Sequence, residues 1–333
     1  MSCLVLLTSS TARAATLCVN PTGTGGCFST LQAALDASGK KDVIEVEAGS
    51  YPSAATVPAR ARVTIRGAGK DSTFFEETLT IGTKAQVTLS DVTIRDTSND
   101  GIFLEDKGRL VLLDSVIRDC PRSGVRFDTG NLTVERSTIR DNDDSGIDGG
   151  TRIAVRDSTI SGNDFNGVSA VNSITTILIE SSTVSGNNRG VNMNSLNRLS
   201  IFGSTIADNG RGIFDQGANR TRLANTILAD NGVDCEVQEF AESLYFSQGY
   251  NLIESNLRCD FKGDLTGNIE GVDPALGPLD DNGGPTRTHA LSGGSAAIDA
   301  GNPRPLGKGN RCRPEDQRGE PRDGRCDIGA FEF

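Results

Sequence analysis

Residues 133–148 read TVERSTIRDNDDSGID, and residues 154–169 repeat the phrase as AVRDSTISGNDFNGVS. The phrase returns every 21 to 24 residues between about residue 87 and residue 231. Its first apolar column is Ile94, Ile117, Ile139, Ile160, Val184, Ile206 and Ile227. Its second apolar column, in which a glycine precedes every member, is Ile102, Val125, Ile147, Val168, Val191 and Ile213. A repeat of this length indicates stacked supersecondary units, none of which buries its apolar face alone.

The residues between the columns indicate which kind of solenoid this is. The apolar segments are short and β-branched, and Gly, Asn and Asp separate them, which is the composition of strands and turns. The leucine and asparagine phrase of leucine-rich repeats, which share this length, is absent. The sequence therefore predicts an all-β protein, a right-handed parallel β-helix solenoid. Seven coils stacked about 4.8 Å apart form a segment about 30 to 35 Å long.

Polar residues recur in columns too, which predicts ladders of hydrogen bonds and ion pairs between coils. Three residues after the first apolar column stand Thr97, Cys120, Asn142, Asn163, Asn187 and Asn209, with Asn231 one place further on. Stacked side-chain amides hydrogen-bond from one strand to the next. Two residues before that apolar column stand Ser115, Ser137, Ser158, Ser182 and Ser204. Two further columns alternate in sign, namely Asp114, Arg136, Asp157 and Glu135, Arg156, Glu180.

Charge and composition restrict the compartment and the partners. The chain has 333 residues and a formal charge of −11, which argues against nucleic acid and anionic membranes as partners, and we expect no membrane span. Residues 1–15 hold a short apolar stretch and then Ala12-Arg13-Ala14, a small-x-small cleavage pattern. We expect a signal peptide there, with a truncated or misplaced start because the positive n-region is missing. The mature protein is then secreted, extracellular or on the bacterial cell surface.

The cysteines sort into local pairs, which points to the same compartment. Disulfides are expected between Cys18 and Cys27, between Cys235 and Cys259, and between Cys312 and Cys326, while Cys120 stands alone within the repeat. Short-range pairs outside the solenoid suit staples formed in an oxidising compartment. A zinc site is the rival interpretation. It is disfavoured because there is no CxxC pair and only one histidine.

The start of the chain resembles that of a known superfamily. Residues 28–35 read as a short amphipathic helix, with Ser29 as N-cap and Gln32 completing a capping box, and such a helix would cover the open end of the solenoid. The order FSTLQAALDASGKKDVIEVEAGSY, residues 28–51, resembles the opening of pectate-lyase-like β-helix proteins. This resemblance implies an N-terminal cap and first coils over residues 16–82, followed by the repeats over residues 83–233.

The end of the chain resembles a different kind of segment. DPALGPLDDNGGPTRTHAL (residues 273–291) and DQRGEPRDGRCDIGAFEF (residues 316–333) are rich in Gly and in charge. They closely resemble the terminal segment of bacterial choice-of-anchor Q domain proteins, over roughly residues 220–333. The resemblance implies a Gly/Pro-rich C-terminal domain, residues 234–333, in a secreted or surface-associated protein. It brings no known catalytic residues.

An acidic cluster is the best candidate for chemistry. Candidate catalytic carboxylates are Asp141, Asp143, Asp144 and Asp148, because paired carboxylates drive glycoside hydrolysis. Asp141, Asp143 and Ser145 also copy the first half of a calcium loop, so Ca²⁺ is the one cofactor that we consider. The twelfth position of that loop is Arg152 rather than Glu. The simpler interpretation is a solvated turn, with no cofactor at all.

A set of arginines is the best candidate for binding. Arg95, Arg118 and Arg140 stand on three successive coils, each followed by Asp, and Arg122 and Arg126 are near them. Guanidinium groups bind carboxylates bidentately, so this set is a candidate glycan-binding site for uronates. The alternative is a charge-balanced surface in which each arginine meets a neighbouring aspartate.

Two classes of function remain open. The first is a non-catalytic, adhesin-like rod that binds an extracellular polysaccharide or a surface protein. The second is a carbohydrate-active enzyme, a polysaccharide lyase or glycoside hydrolase acting on an acidic polysaccharide. The fold hosts both. The absence of Trp, and of the catalytic motifs of polygalacturonases, pectate lyases and pectin methylesterases, favours the first. A groove, if one exists, is expected beside the departures from the period at residues 169–176 and 236–249.

Overall fold

The computed structural model describes residues 14–170, 174–194, 196–239, 242–255, 259–307 and 312–333. The predicted signal peptide, residues 1–15, lies outside these ranges except for its last two residues. The described chain forms three long sheets of 12, 11 and 9 strands in which every neighbouring pair is parallel. Each coil contributes one strand to each sheet in turn. The predicted all-β parallel β-helix is therefore confirmed.

The strands are numbered along the chain, and every third strand belongs to the same sheet through most of the rod. Sheet A contains β1 (Thr16–Val19), β2 (Asp42–Val46), β5 (Arg62–Gly67), β8 (Gln86–Ser90), β11 (Gly108–Leu113), β14 (Gly130–Glu135), β17 (Arg152–Arg156), β20 (Thr176–Glu180), β23 (Arg198–Phe202), β26 (Arg220–Ala224), β29 (Leu244–Gln248) and β31 (Phe261–Asp264). Sheet B contains β3 (Gly49–Tyr51), β6 (Thr73–Phe75), β9 (Thr93–Arg95), β12 (Val116–Arg118), β15 (Thr138–Arg140), β18 (Thr159–Ser161), β21 (Thr183–Ser185), β24 (Thr205–Ala207), β27 (Ile227–Ala229), β30 (Leu252–Ile253) and β32 (Ile269–Glu270). Sheet C contains β4 (Ala55–Val57), β7 (Leu79–Ile81), β10 (Ile102–Leu104), β13 (Val125–Phe127), β16 (Ile147–Gly149), β19 (Asn166–Ala170), β22 (Arg189–Met193), β25 (Arg211–Asp215) and β28 (Cys235–Val237). The stacking thus extends on both sides of the predicted repeat range.

Both apolar columns fill the interior, with one correction. The second column pairs residue for residue from Ile102 to Ile213, and the first does so from Ile94 to Ile206. The next member of the first column is Leu228, because Ile206 pairs with Leu228 and not with Ile227. The prediction of Ile227 was wrong. This side chain points out of the coil into a second apolar cluster, where it packs with Ile328 and Phe331.

The asparagine column is a hydrogen-bonded ladder inside the turn between sheets B and C. Side-chain amides donate to the next side-chain oxygen at 2.8 to 3.0 Å from Asn142 to Asn231. Asn231 is in register because it follows Leu228 by three residues. Its offset of four residues from Ile227 in the predicted column is explained by this. At one end of the ladder the buried Cys120 donates its backbone N–H to Asn142 Oδ1 at 3.2 Å. Amide pairing compensates the burial of these polar groups.

The serine and charge columns also bridge coils. The backbone N–H of each serine from Ser115 to Ser182 donates to the next serine hydroxyl at 3.1 to 3.2 Å. Arg136 Nε lies 2.9 Å from Asp114 Oδ1. Arg156 Nε lies 3.2 Å from Glu180 Oε2. Asp157 departs from the expected pattern, because it pairs at 2.6 Å with Arg313 of the C-terminal region.

The N-terminal helix covers the first coil, but its cap differs from the prediction. Helix α1 spans Leu31–Ala37, and its N-cap is Thr30, whose Oγ1 accepts from the backbone N–H of Ala33 at 3.2 Å. The predicted N-cap Ser29 and the capping box were wrong, because Gln32 Nε2 donates to Asp36 at 2.7 Å instead. The helix starts late since Phe28 is still bridged to Val19 of β1. No helix of the described residues is long and apolar enough to cross a membrane.

Three disulfides staple the two ends of the rod, as predicted. They join Cys18 to Cys27, Cys235 to Cys259, and Cys312 to Cys326. Among the described cysteines, Cys120 is a free, buried thiol. Disulfides persist in oxidising environments, so these three fit an extracellular protein.

The C-terminal segment, described over residues 272–307 and 312–333, lies against the outer surface of sheet B. It contains the antiparallel hairpin of β33 (Leu276–Asp280) and β34 (Thr288–Leu291). Thr159 Oγ1 donates to the carbonyl of Arg287 at 2.5 Å, and Thr183 Oγ1 donates to Gln317 Oε1 at 2.7 Å. The side chain of His289 lies between Ser185 Oγ and the carbonyl of Gly277, both at 2.8 Å. Thr159 and Thr183 are in register, and this hydroxyl column, with Ser185 beside it, holds the segment on the rod.

Candidate functional site

The three arginines Arg95, Arg118 and Arg140 form one column on the outer surface of sheet B. Arg118 pairs in register with both Arg95 and Arg140. The same column then continues as Ser161, Ser185, Ala207 and Ala229. Small residues stand where the C-terminal segment covers the sheet, and arginines stand where the sheet is open. We call these three residues the arginine column.

The arginine column lines a cleft of about 520 Å³. One wall is the loop of residues 281–287, which belongs to the C-terminal segment, and the floor is formed by β6, β9, β12 and β15. Lys70 Nζ donates to the carbonyl of Pro285 at 2.9 Å and joins the wall to the rod. The exposed Arg287 and the ring of Phe74 complete the lining. The cleft therefore combines several cationic groups and one aromatic ring with two carboxylates, those of Asp71 and Asp281.

Each arginine of the column also has an acidic neighbour. Arg95 Nη2 lies 2.9 Å from Glu76 Oε1, and its guanidinium stacks 4.0 Å above the ring of Phe74. Arg118 and Arg140 each pair with the aspartate that follows in the chain. The side chains of the three arginines remain 25 to 33% exposed. Exposed ion pairs are worth only about 0 to 1 kcal/mol, so a ligand carboxylate can replace such a neighbour at little cost.

The other two predicted arginines do not join this column. Arg126 lies on the outer surface of sheet C, where it pairs in register with Asp148. Its Nη1 lies 4.0 Å from Asp100 Oδ2. Arg122 is exposed in the turn before β13, close enough to Asp100 to lower the pKa of its carboxyl group. The five arginines of the sequence prediction therefore divide between two surfaces.

The structure also separates the acidic cluster. Asp141 is paired with Arg140 on the side of the cleft. Asp143 is exposed in the turn. Asp144 accepts from Ser145 Oγ at 3.2 Å. Asp148 lies on sheet C. The four predicted carboxylates do not converge on one point.

No arrangement for a metal ion is visible at the predicted calcium position. The Ser145 hydroxyl is buried and accepts from Asn166 Nδ2 at 3.1 Å, so it faces sheet C and not Asp141. Asn142, which separates Asp141 from Asp143, turns inward into the ladder. Within the ranges that the structure describes, no group of three His, Cys, Asp or Glu side chains is placed to hold a metal ion. The geometry gives no support to the Ca²⁺ prediction.

Asp148 lies in a second acidic group on sheet C that includes one residue the sequence analysis missed. Burial raises the pKa of Asp148, the hydrogen bond from Ser169 opposes this shift, and Asp144 adds to it. Burial also raises the pKa of Asp100, which accepts from the backbone N–H of Ser123 at 3.1 Å. Asp100 was missed because the equivalent positions of the next two coils are Ser123 and Ser145. Stacking the coils by their Gly-apolar pairs reveals it.

Comparisons with known proteins agree with this architecture. The family described as "Right handed beta helix region" matches residues 77–228. The structure is similar to that of pectate lyase Pel9A, with a TM-score of 0.52 and 14% identity over 96% of this chain and 97% of that chain. For a mannuronan C-5 epimerase module from Azotobacter vinelandii, the TM-score is 0.36 and the identity 14%, over 76% of this chain and 97% of that chain. For a pectin methylesterase from Aspergillus niger, the TM-score is 0.33 and the identity 15%, over 79% of this chain and 88% of that chain.

No curated protein matches the sequence. The family match and the similarity to pectate lyase Pel9A show that the chain has the right-handed parallel β-helix fold. At 14% identity this similarity shows the fold alone.

Proposed function

We propose that this protein is a non-catalytic, secreted or surface-associated rod that binds an acidic polysaccharide in the cleft over sheet B. One observation carries the proposal, namely that Arg95, Arg118 and Arg140 stand in register and face one open cleft. Neighbouring strands are about 4.8 Å apart, so the three guanidinium groups present donors along about 10 Å. Uronate carboxylates accept such donors bidentately.

Other features of the cleft fit a sugar chain. The guanidinium group of Arg95 lies over the ring of Phe74, a cation–π contact that holds it at the floor of the cleft. Lys70 on the rod and Arg287 on the wall add positive charge, next to the carboxylates of Asp71 and Asp281. The three disulfides and the resemblance of the C-terminal segment to choice-of-anchor Q domains support a location outside the cell. One similar solved structure, with a TM-score of 0.52, is named a pectate lyase, and pectate is an acidic polysaccharide.

Binding of polygalacturonate, measured by isothermal titration calorimetry with a neutral glucan as comparison, tests this proposal. The double variant Arg118→Gln, Arg140→Gln is expected to bind polygalacturonate at least ten-fold more weakly. A matched double variant, Lys40→Gln with Arg304→Gln, removes the same charge from exposed positions outside the cleft and should bind like the unmodified chain. Equal affinity of the two double variants for polygalacturonate would show that the cleft is not its binding site.

A second candidate function rests on Asp148. Glycoside hydrolysis requires a carboxyl group that stays protonated, and burial raises the pKa of Asp148. Arg126 stands next to it in register on sheet C. If this surface is catalytic, the size of an acidic polysaccharide falls during incubation with the protein, and Asp148→Asn stops the fall. Unchanged polymer size with the unmodified chain, followed by size-exclusion chromatography, speaks for the non-catalytic rod.

A further inference from the structure

Sheet A carries a second row of cations along the rod, on a different face from the cleft. Nine residues follow one another in register at the start of successive strands: Arg62, Gln86, Arg109, Asn131, Arg152, Thr176, Arg198, Arg220 and Leu244. Each of them is cationic or uncharged. From β5 to β23 an arginine stands on every second strand, and Arg220 then follows on the next strand. We call the arginines of this row the basic track.

From β5 to β23, the row beside the basic track forms a floor without charge. Its members, in register and partly shielded from solvent or buried, are Thr64, Thr88, Val111, Thr133, Ala154, Leu178 and Ser200. The row then continues with Arg222 and Phe246. Short side chains on seven consecutive strands leave a shallow surface. A flexible chain can lie on it in contact with the arginines at its edge.

The cations of the track are unpaired, in contrast to the arginine column. Arg62, Arg109, Arg152, Arg198, Arg220 and Arg222 are all exposed, and none forms an ion pair with a carboxylate of the described ranges. The remaining residues of the chain contain no Asp or Glu. The chain has 44 acidic and 33 basic residues, so acids are abundant elsewhere. Arg198 and Arg220 stand opposite each other on neighbouring strands, where like charges repel, and an anionic ligand relieves that repulsion.

The track is also concave along much of its length. A depression of about 370 Å³ is lined by Lys41, Arg62 and Arg109. Further along the same face, one of about 310 Å³ is lined by Arg198, Arg220 and Arg222. An adjoining depression of about 590 Å³, also lined by Arg220 and Arg222, adds Leu244 and Phe246 and, at its far side, the carboxylate of Asp264. Leu244 and Phe246 come from the insert that interrupts the repeat at residues 236–249.

We propose that the basic track binds one extended acidic polysaccharide chain that lies parallel to the rod axis. The arginines on alternate strands recur about every 9.6 Å, and the track from Arg62 to Arg220 spans about 34 Å. In an extended polyuronate, which carries one carboxylate on each sugar, alternate carboxylates can face the same side of the chain and then recur there at a constant interval. The inference shares only its class of ligand with the proposed function, because the track and the cleft lie on different sheets.

The chemistry of the surface favours a glycan over a nucleic acid. Single-stranded nucleic acids are held by aromatic side chains on which bases stack, whereas Phe246 stands at one end of the face and its floor is built of Thr, Val, Ala, Leu and Ser. The net charge of −11 also disfavours a long, densely charged duplex. Sugar hydroxyls and carboxylates need only the arginines and a flat floor.

The test uses the whole chain and end-labelled oligogalacturonates of increasing length, followed by fluorescence anisotropy. We expect affinity to rise with length until the oligosaccharide spans the track. The double variant Arg152→Gln, Arg198→Gln should bind long oligosaccharides at least ten-fold more weakly and with a smaller dependence on salt, because fewer counterions are exchanged. The variant Arg118→Gln, Arg140→Gln, which removes the same charge from the cleft, should keep the length dependence.

The outcomes separate the two surfaces. Ten-fold weaker binding of long oligosaccharides by the sheet A variant supports the track, and unchanged binding by that variant refutes it, whatever the cleft variant does. The cleft variant tests the proposed function in the same way, so the two proposals can fail separately. The track is also overturned if the unmodified chain binds none of the oligosaccharides, or if it binds labelled single-stranded DNA more tightly than the longest of them. Melting temperatures of both variants should equal that of the unmodified chain, because the four arginines are surface residues.

Discussion

Asn163 donates its side-chain amide to Asn187 Oδ1 at 2.9 Å, and both side chains are almost fully buried in the turn between sheets B and C. Asn163 also accepts from the amide of Asn142 at 2.8 Å, so it joins three coils. Replacing it with alanine leaves at least two buried polar groups without partners. We expect Asn163→Ala to lower the free energy of unfolding by about 3 kcal/mol, measured by chemical denaturation.

The neighbouring Asn188 is the control for this prediction. It is exposed, and Asn188→Ala changes the same residue type in the same turn of the next coil, one residue after Asn187 of the ladder. Its effect should stay within about 0.5 kcal/mol. An Asn163→Ala protein as stable as Asn188→Ala would show that the ladder does not stabilise the fold.

The cysteines predict a specific pattern of thiol reactivity. Burial raises the pKa of the Cys120 thiol to about 11, and only the thiolate reacts readily. A chain starting near Thr16 should therefore show no reactive thiol when native at pH 8, and one after denaturation without reductant. Reduction should lower the melting temperature as well, because disulfides restrict the unfolded state. Seven reactive thiols in the denatured, unreduced protein would contradict the three disulfides.

The fold was predictable because one periodicity sets both strand length and register. Each coil places one apolar residue of each column inside, and a one-residue slip would turn that residue outward. The slip at the last coil was not predictable, since Ile227 and Leu228 are both apolar. What decides it is the C-terminal segment, which buries Ile227 from outside. Contacts between distant parts of the chain leave no local pattern.

The candidate sites, too, were predictable only where they depend on the local repeat and not on contacts between distant parts of the chain. The arginine column was predictable because Arg95, Arg118 and Arg140 occupy one position of the repeated phrase. Its cleft was not, because the wall comes from residues 281–287, far away in the sequence. The basic track was missed for a different reason. Its arginines alternate with uncharged residues on successive strands, so no single phrase repeats them.

The buried Asp234 predicts a pH dependence of stability. Burial raises its pKa to about 6, although Asn231 Nδ2 and the backbone N–H of Ser255 donate to it at 2.9 and 2.7 Å. The folded state therefore binds more protons than the unfolded state between about pH 4 and pH 6. Stability falls as the pH rises through that window, by up to about 3 kcal/mol. Unfolding free energies at pH 4 and pH 7 measure this loss.

The variant Asp234→Asn should lack this part of the pH dependence, whatever its stability at any one pH, because an amide does not titrate in this range. The exposed Asp260→Asn is the matched control and should keep it. If Asp234→Asn shows the same difference between pH 4 and pH 7 as the control, then other groups cause it.

Gln317 connects the cleft wall to the rod and predicts a coupling between the two. Its amide donates to Thr159 Oγ1 at 2.9 Å and to the carbonyl of Arg287 at 3.0 Å, while its Oε1 accepts from Thr183. Gln317→Ala removes these bonds from a buried position and leaves the arginine column unchanged. We expect backbone amides of residues 286–291 to exchange with deuterium at least ten-fold faster.

Because the wall then samples other positions, polygalacturonate should also bind to Gln317→Ala several-fold more weakly, if the cleft is the binding site. The exposed Gln216→Ala should change neither exchange nor binding. Faster exchange with unchanged affinity would show that the wall is not part of the binding site. The basic track on sheet A would then be the better candidate for that site. Unchanged exchange would instead show that the hydroxyl column holds the C-terminal segment without this side chain.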